Sequence, residues 1–404
     1  MRIDLKFYNL DIDQKAIEKK ALQFSLDPVP DFVSYQEDFD NLKKILDPCL
    51  KYENLIIIGN GGSINSFLSF EGMLGTNKKV FVLDTVEPDV LNNLIRLYPK
   101  TNTLIMSISK SGETISVIEN TLYFVNLGYQ GIAITNKNQG SLSQIAKKLF
   151  WPIIHHPEIS GRYTGHTSSG FAPAYFSGMP IEKINQGVID FFNSSAIKTS
   201  KPDLALILSL LLFQAEKQGF IEIFLSVYSN FLGAFIRLID QLFHESFAKD
   251  DKGMSVIAGI GPETQHHSIQ RYFGGPKNMV GLFTILEKQN QDLKINISNN
   301  LKDISYKNKT LDIFNNLFLS RSLFLEAQGT IQDSINSHLP TIVMSIKDRN
   351  PETVGELLAF FQLVAYYSSK LRGVDPFNQP EVEESKNITF EQIIKEGYEH
   401  NKRY

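Results

Sequence analysis

Short runs of consecutive apolar residues, separated by stretches with helical spacing of apolar positions, dominate the first half of the chain. The apolar runs are LIIIG at 55–59, KVFVLD at 79–84, TLIMSIS at 103–109 and GIAIT at 131–135. Apolar strands that alternate with helices are typical of a parallel sheet covered on both faces, because crossover connections place the helices there. In such sheets, ligands bind beyond the carboxyl ends of the strands.

The same alternation begins again after Pro202. An apolar helical segment precedes IEIFLSVYS at 221–229, a long helix is predicted through Phe247, and apolar runs return at 280–286 and 340–346. The polar segment 194–203 lies between two helical patterns and marks a boundary. We therefore predict an α/β protein with a first domain over 1–195 and a second over 196–404. Each is expected to be a doubly wound parallel sheet in a three-layer αβα sandwich.

Length and composition agree with a globular protein of two domains. A chain of 404 residues exceeds the size at which one core keeps growing. Hydrophobic residues make up 42% and charged residues 21%, which gives no support to disorder. The formal net charge of -4 predicts no broad basic surface, so no nucleic-acid partner is expected and a small molecule is favoured.

The sequence also indicates a compartment. Cys49 is the only cysteine, so no intramolecular disulfide can form and nothing indicates an oxidising environment. The N-terminal segment interleaves charged with apolar residues and lacks the apolar core of a secretory signal. The apolar run from Leu204 to Phe213 is shorter than the roughly 18 residues of a membrane span. We expect a cytoplasmic protein with no membrane partner.

A glycine turn follows the first apolar strand. Asn60, Gly61, Gly62 and Ser63 stand between this strand and a helical pattern. Free backbone N–H groups and the helix dipole converge at such a place and favour an anion. The alternative is a tight turn in which Ser63 only caps the helix.

A second polar turn follows the third strand. In the segment SISKSGET at 107–114, Ser109, Ser111 and Thr114 bring three hydroxyls, and Lys110 a positive charge, to the start of another predicted helix. Hydroxyl donors with a point charge suit a phosphate monoester better than a nucleotide, and the patterns GxxxxGK[ST] and GxGxxG are absent. The alternative is again simple capping of the helix.

These two turns resemble the phosphate loops of the sugar isomerase (SIS) domain, which have the forms GGS and S-x-S-G-[ENT]-T. Four further segments are similar to those of the glucose-6-phosphate isomerase family: GRYT at 161–164, QLFHESFAK at 241–249, QHHSIQRYFGGP at 265–276 and FNQPEVEESK at 377–386. The six segments follow the family order. The resemblance implies two SIS domains and a reversible isomerisation of glucose 6-phosphate and fructose 6-phosphate through an enediolate.

The resemblance also implies roles for particular residues. Glu245 is the base that moves a proton between C2 and C1, and Arg162 stabilises the enediolate with a cation that cannot lose its proton. Lys386 assists opening of the sugar ring. Substrate binding is assigned to Gly62, Ser63, Ser109, Lys110, Ser111, Thr114 and Gln379.

Two adjacent histidines compete for a further role in ring opening, which needs proton transfer between the C1 hydroxyl and the ring oxygen. The family's histidine stands four residues before a glutamine, which selects His266 before Gln270 and leaves His267 as the alternative. The resemblance implies a homodimer in which His266 reaches the partner's active site. Tyr272 and Phe273 are candidate interface anchors, unless they pack under their own loop.

Four positions depart from the family pattern. Ser160, Ala248 and Glu381 each stand where the family has glycine, and Arg372 stands where an apolar residue is usual. Glu381 is the most consequential, because it adds negative charge near the expected phosphate site. This departure bears on substrate preference more than on the reaction type.

Other functions remain open at this point. A bifunctional phosphoglucose and phosphomannose isomerase would use the same enediolate, and other phosphosugar isomerases share the fold. A non-catalytic sugar-phosphate-binding regulator is less favoured, because residues 1–50 are not strongly basic and contain no helix-turn-helix pattern. Neither a metal nor an organic cofactor is implied, since the histidine pairs at 155–156 and 266–267 cannot easily face one metal.

Overall fold

A computed structural model of the protein describes residues 2–401. In chain order, the strands are β1 (Ile3–Tyr8), β2 (Asn54–Ile58), β3 (Lys79–Leu83), β4 (Thr103–Ile108), β5 (Gln130–Thr135), β6 (Ile153–His155), β7 (Glu222–Tyr228), β8 (Ser255–Ile260), β9 (Met279–Leu286), β10 (Ser305–Tyr306), β11 (Lys309–Thr310) and β12 (Thr341–Ile346). Short 3-10 turns lie at Asp47–Cys49, Gly161–Tyr163, Glu263–His266, Leu311–Phe314 and Pro380–Val382.

Helices fill most of the remaining chain. They are α1 (Gln14–Leu26), α2 (Asp31–Ser34), α3 (Phe39–Leu46), α4 (Gly62–Leu74), α5 (Pro88–Leu97), α6 (Ile115–Asn126), α7 (Ser141–Lys148), α8 (Ser168–Phe176), α9 (Ile181–Ser194), α10 (Ala196–Thr199), α11 (Leu204–Lys217), α12 (Asn230–Gly233), α13 (Ile236–Phe247), α14 (Ser268–Gly274), α15 (Leu319–Asn336), α16 (Pro351–Arg372) and α17 (Glu383–Asn401). Within residues 2–401, none of them combines the length and the apolar character that crossing a membrane requires.

The first sheet is parallel throughout and has the order β3-β2-β4-β5-β6. Every residue of its central strand β4 is buried, which explains why the sequence shows a continuous apolar run there. The four strands predicted in this half are confirmed, whereas the three-residue β6 was not predicted. Chain order reverses between β2 and β4, so the carboxyl ends of these two strands border the crevice where such sheets bind ligands.

The second sheet has the order β1-β12-β9-β7-β8 and is mixed. Strands β12, β9, β7 and β8 are parallel, but β1 runs antiparallel to β12, with Ile3 opposite Ile346. The predicted α/β class with two parallel sheets is confirmed, and β1 adds one antiparallel edge strand, so residues 3–8 pair within the second sheet. Local sequence cannot place an edge strand whose partner lies more than three hundred residues away.

Three of the strands in the second sheet were predicted from their apolar runs, and all three are confirmed. Strand β8 was not predicted. Its sequence SVIAGI contains small residues, and most of its positions are only partly buried because it lies at an edge of the sheet. Its apolar signal is correspondingly weak.

The two sheets share one core through helix α16, which is buried along almost its whole length. It packs against α9 of the first half so closely that a methyl group at Gly355 would lie 1.8 Å from the Ile184 carbonyl oxygen. A methyl group at Gly187 would likewise lie 1.9 Å from the Glu352 carbonyl oxygen. Only glycine at these two positions permits the backbones to approach in this way.

The segment 194–203, predicted as a domain boundary, is fixed to this core. Asp203 is buried, and its carboxylate accepts hydrogen bonds from the backbone N–H of Ala196 at 2.7 Å and of Leu206 at 3.0 Å. It also accepts one from the Tyr367 hydroxyl at 2.9 Å, which ties the segment to α16. The division of the chain at residue 195 remains a prediction.

Tyr272 is a core residue of the second unit. Its ring stacks on Phe224 with centroids 4.8 Å apart, and its hydroxyl lies 2.7 Å from the Ser334 hydroxyl. Phe273 is half-buried and packs edge-on against Tyr272. The prediction of Tyr272 as an interface anchor is therefore wrong, and the alternative, packing within its own chain, is correct.

Replacing Gly355 with alanine should lower the free energy of unfolding by about 1–3 kcal/mol, because the added methyl group forces α9 and α16 apart. The matched control is Gly329→Ala in α15, where a methyl group meets nothing within 4 Å. That control should be neutral or more stable by about 0.5–1 kcal/mol. Denaturant unfolding of both variants gives the measurement, and equal losses would contradict the close contact.

Candidate active site

The glycine turn after β2 places two distant segments in contact. Helix α4 begins at Gly62. A methyl group there would lie 2.2 Å from the Gly161 carbonyl oxygen and 2.6 Å from the backbone nitrogen of Arg162. Glycine at this position therefore lets the 3-10 turn Gly161–Tyr163 rest directly on the start of α4. The first predicted turn and the GRYT segment meet through this contact.

The polar turn after β4 is internally ordered. The Ser109 and Thr114 hydroxyl oxygens lie 2.9 Å apart, and the Ser111 hydroxyl accepts from the Glu113 N–H at 3.2 Å. The Glu113 carboxylate in turn accepts from the Ser141 N–H at 2.6 Å, at the first residue of α7. The hydroxyls are thus held in place before any ligand arrives.

Both turns open into one cleft of about 390 Å³ at the reversal of strand order in the first sheet. The lining is polar apart from one isoleucine and comprises Asn60, Ser63, Ile108, Ser109, Lys110, Ser111, Thr114, Asn136, Gln139, Glu158, Gly161 and Gln379. Six of the seven residues assigned to substrate binding line this cleft. The seventh, Gly62, lies beside it beneath Gly161.

Arg162 and Glu245 form an ion pair next to this cleft. Arg162 Nε lies 3.0 Å from a Glu245 carboxylate oxygen, with the arginine side chain fully buried and the glutamate 28% exposed. The guanidinium also donates to the Glu245 carbonyl, to the carbonyls of Pro376 and Asn378 at 3.2 Å each, and to Gln379 Oε1 at 2.6 Å. Because Gln379 lines the cleft, it connects the anion site with the charged pair.

A chain of amides holds the Glu245 carboxylate from the other side. Gln241 donates from Nε2 to Glu245 Oε1 at 3.0 Å, and Asn65 of α4 donates to Gln241 Oε1 at 2.7 Å. Neither Gln241 nor Asn65 was predicted as a site residue. Gln241 stands four residues before Glu245 on the same face of α13, so the sequence spacing predicts their contact. Asn65 lies on another helix, and no sequence spacing predicts its contact with Gln241.

Lys249 fixes the segment that carries Gln379. Its Nζ donates to the Asn378 carbonyl at 2.8 Å, to Asn378 Oδ1 at 2.9 Å and to the Asp375 carbonyl. Burial lowers the pKa of Lys249, and the nearby charge of Arg162 lowers it further. Arg162 and Lys249 together hold residues 375–379 in place through these hydrogen bonds.

His156 directly follows β6, is buried, and carries no charge at neutral pH. Its Nδ1 lies 2.9 Å from the Pro157 carbonyl oxygen, and burial lowers its pKa to about 4. Among the residues that line the cleft, Lys110 is the one that carries a positive charge. Within residues 2–401, no group of three or more His, Cys, Asp or Glu side chains is arranged to hold a metal ion.

Two predicted catalytic residues lie away from the cleft of their own chain. His266 is exposed on the 3-10 turn Glu263–His266, and Lys386 is exposed on α17, where it pairs with Glu383 at 2.8 Å. His267 bonds to the Glu263 carboxylate and, through Nδ1, to the Ser268 hydroxyl at 2.5 Å. Neither histidine and no residue of α17 lines the cleft.

The structure shows how two of the four departures from the family pattern are accommodated. Arg372 is buried, and its Nε donates to Glu216 at 2.6 Å while its guanidinium lies over the Phe247 ring at 4.6 Å. A carboxylate and an aromatic face thus accommodate a charge where an apolar residue is usual. Glu381 follows Gln379 on an exposed turn and is not among the residues that line the cleft.

Known proteins resemble this chain over nearly its whole length, although no protein-family model matches it. It is 25% identical over 370 residues to the glucose-6-phosphate isomerase of Methanocaldococcus jannaschii, which covers 89% of this chain and 88% of that protein. It is 29% identical over 366 residues to the glucose-6-phosphate isomerase of Mycoplasma capricolum, covering 85% and 84%.

Solved structures show the same fold. A hypothetical protein from Thermus thermophilus superposes with a TM-score of 0.83 at 22% identity over 94% of both chains. A glucose-6-phosphate isomerase from Chlamydia trachomatis gives a TM-score of 0.79 at 17% identity, covering 97% of this chain and 88% of that one.

A polar cleft lies at the strand-order reversal of the first sheet, and a second α/β unit follows in the chain. This two-unit α/β architecture places the protein in the class of sugar isomerase (SIS) proteins. The sequence relatives narrow this assignment, because they align across both units rather than with one of them. These relatives and the shared fold support the assignment of the chain to the glucose-6-phosphate isomerase family.

Replacing Arg162 with lysine should lower the free energy of unfolding by about 2–4 kcal/mol, because an ammonium cannot reach the carbonyls and the amide oxygen that the buried guanidinium satisfies. The matched control is Arg237→Lys, where an exposed arginine pairs with Asp84 at 2.8 Å. That change should alter stability by less than about 1 kcal/mol. Denaturant unfolding tests both, and equal effects would contradict a structural role for Arg162.

Proposed function

We propose that this protein interconverts glucose 6-phosphate and fructose 6-phosphate. The observation that carries the proposal is the Glu245–Arg162 pair, joined through Gln379 to a polar cleft that offers hydroxyl donors and one lysine to an anion. Relatives named glucose-6-phosphate isomerase support the choice of substrate. The reaction interconverts an aldose and a ketose shared by glycolysis and gluconeogenesis, and we expect it to take place in the cytoplasm.

The geometry supports a proton transfer through an enediolate. With the phosphate in the cleft, the Glu245 carboxylate removes the proton from C2 of the open-chain aldose, and the electron pair forms the C1–C2 double bond while the carbonyl oxygen becomes negatively charged. Arg162 stabilises this charge without competing for the proton. Glu245 then returns the proton to C1, and the C2 oxygen becomes the new carbonyl as its hydroxyl proton passes to the C1 oxygen.

We further propose a homodimer that supplies the ring-opening group from the partner chain. His266 is exposed and, within residues 2–401, its ring nitrogens make no hydrogen bond, whereas His267 is engaged by Glu263 and Ser268. This difference favours His266 as the residue that is free to act elsewhere. Lys386 is similarly exposed and does not line the cleft of its own chain.

Helix α17 supports the dimer proposal. All of its described side chains, residues 383–397, are exposed, including Ile388, Phe390, Ile393 and Ile394. Phe390, Ile393 and Ile394 share one face of the helix, and exposed apolar residues grouped in this way favour burial against another protein surface. Docking of α17 on a second chain would cover them and would bring Lys386 towards an active site.

Glu245→Gln should lower turnover of fructose 6-phosphate by roughly 10²–10⁴-fold, the range associated with a general acid or base. The amide keeps an oxygen for the Gln241 hydrogen bond, so the fold should persist. Asp240→Asn on the same helix is the matched control, because the Asp240 side chain is half-exposed and pairs only with His244. A coupled assay of glucose 6-phosphate formation gives the measurement, and near-normal turnover in Glu245→Gln would remove Glu245 from the mechanism.

Mixing inactive Glu245→Gln protein with inactive His266→Ala protein should restore activity if the histidine acts across the interface. Half of the dimers would be mixed, and each would contain one intact site, so about a quarter of the wild-type sites should return. Mixing Glu245→Gln with Glu245→Ala is the control and should restore nothing. Absence of recovery despite measured subunit exchange would show that each site is built within one chain.

A further inference from the structure

A carboxylate stands beside the lysine of the anion cleft. Glu158 follows β6, lines the cleft, and has a carboxylate oxygen 3.4 Å from Lys110 Nζ. Its other oxygen accepts a hydrogen bond from Asn136 Nδ2 at 2.9 Å. Asn136 is itself held in place, because its Oδ1 accepts from the Asn138 N–H at 3.0 Å. Glu158 is therefore oriented towards Lys110, although its side chain is 64% exposed.

In this arrangement the Glu158 carboxylate and a bound phosphate would both interact with the single positive charge of Lys110. A phosphate group bound by the hydroxyls of Ser109, Ser111 and Thr114 would lie in the same cleft as Lys110 and would draw on its positive charge. Glu158 already neutralises that charge, and two negative groups within a few ångströms of each other repel. The other lining residues of the cleft carry no charge that would compensate.

We propose that Glu158 weakens the binding of the phosphate group by competing with it for Lys110, and so sets the affinity of the cleft for its sugar phosphate. The inference deepens the proposed function and depends on it only for the identity of the sugar. When a phosphate binds, Lys110 turns from Glu158 to the phosphate, and Glu158 moves into solvent, which its exposure allows. Release of the phosphate reverses the exchange, so Glu158 favours departure of the product.

The test is a direct binding measurement with inorganic phosphate by isothermal titration calorimetry, on the full chain. Glu158→Gln should bind phosphate about two- to five-fold more tightly than the wild type, the range expected for an exposed ion pair. The glutamine still offers an oxygen to Asn136, so the local structure should persist. The matched control is Glu287→Gln, which removes the same charge at an exposed residue after β9 and should leave phosphate affinity unchanged.

A double-mutant cycle shows whether Glu158 acts through Lys110. In a Lys110→Gln background, Glu158→Gln should change phosphate affinity by less than half of its effect in the wild type, because the competition no longer exists. The effect should also shrink when the salt concentration rises about tenfold, because the screening length then falls about threefold. If Glu158→Gln changes phosphate affinity equally in both backgrounds, its effect comes from the overall charge of the cleft, and the proposal is overturned.

Steady-state kinetics with fructose 6-phosphate complete the test. The KM of Glu158→Gln should fall by about the same two- to five-fold, with kcat within about twofold of the wild type. Unchanged phosphate affinity would overturn the proposal, and weaker binding would show that Glu158 contacts the substrate instead. If the wild type binds phosphate but does not isomerise fructose 6-phosphate, the proposed function fails while the binding experiment still decides the role of Glu158.

Discussion

The buried guanidinium of Arg162 is the interaction on which the arrangement of the site depends. An arginine cannot lose its proton, so complete burial requires that every part of the guanidinium meets a carboxylate or an oxygen acceptor. Those partners come from residues 83 to 217 positions further along the chain, on α13 and on the segment after α16. One side chain therefore fixes the proposed base Glu245, the cleft wall at Gln379 and the 3-10 turn Gly161–Tyr163 relative to one another.

The two α/β units contribute different parts of the candidate site. Both sheets reverse chain order between neighbouring parallel strands, and the second also has a cavity at that place, about 250 Å³ in volume. Only the first unit has the glycine turn and the hydroxyl-rich turn there. The second unit contributes Glu245 on α13 instead, and the close packing of α9 on α16 holds this helix against the anion-binding half.

Much of the site was predictable because short, contiguous segments carry it. The turns at 60–63 and 107–114 are local structures in which hydroxyls, glycines and a helix start occur within a few residues, so sequence alone predicts an anion site at both, and residues of both line one cleft. Gln241 also stands within a motif, one helical turn from Glu245. Asn65, Asn136 and Glu158 could not be found in this way, because each acts through a partner from another segment.

The sequence by itself determined the α/β class, seven of the strands and the two polar turns that line the cleft. Each of these follows from a pattern of a few neighbouring residues. A strand buried on both faces requires consecutive apolar residues, and the start of a helix favours glycine and hydroxyl residues. Only the tertiary structure decided that β1 joins the second sheet, that Tyr272 lies in a core, and that Glu158 faces Lys110. These contacts join residues that are far apart in the chain, and their free energy depends on burial and charge that no local pattern contains.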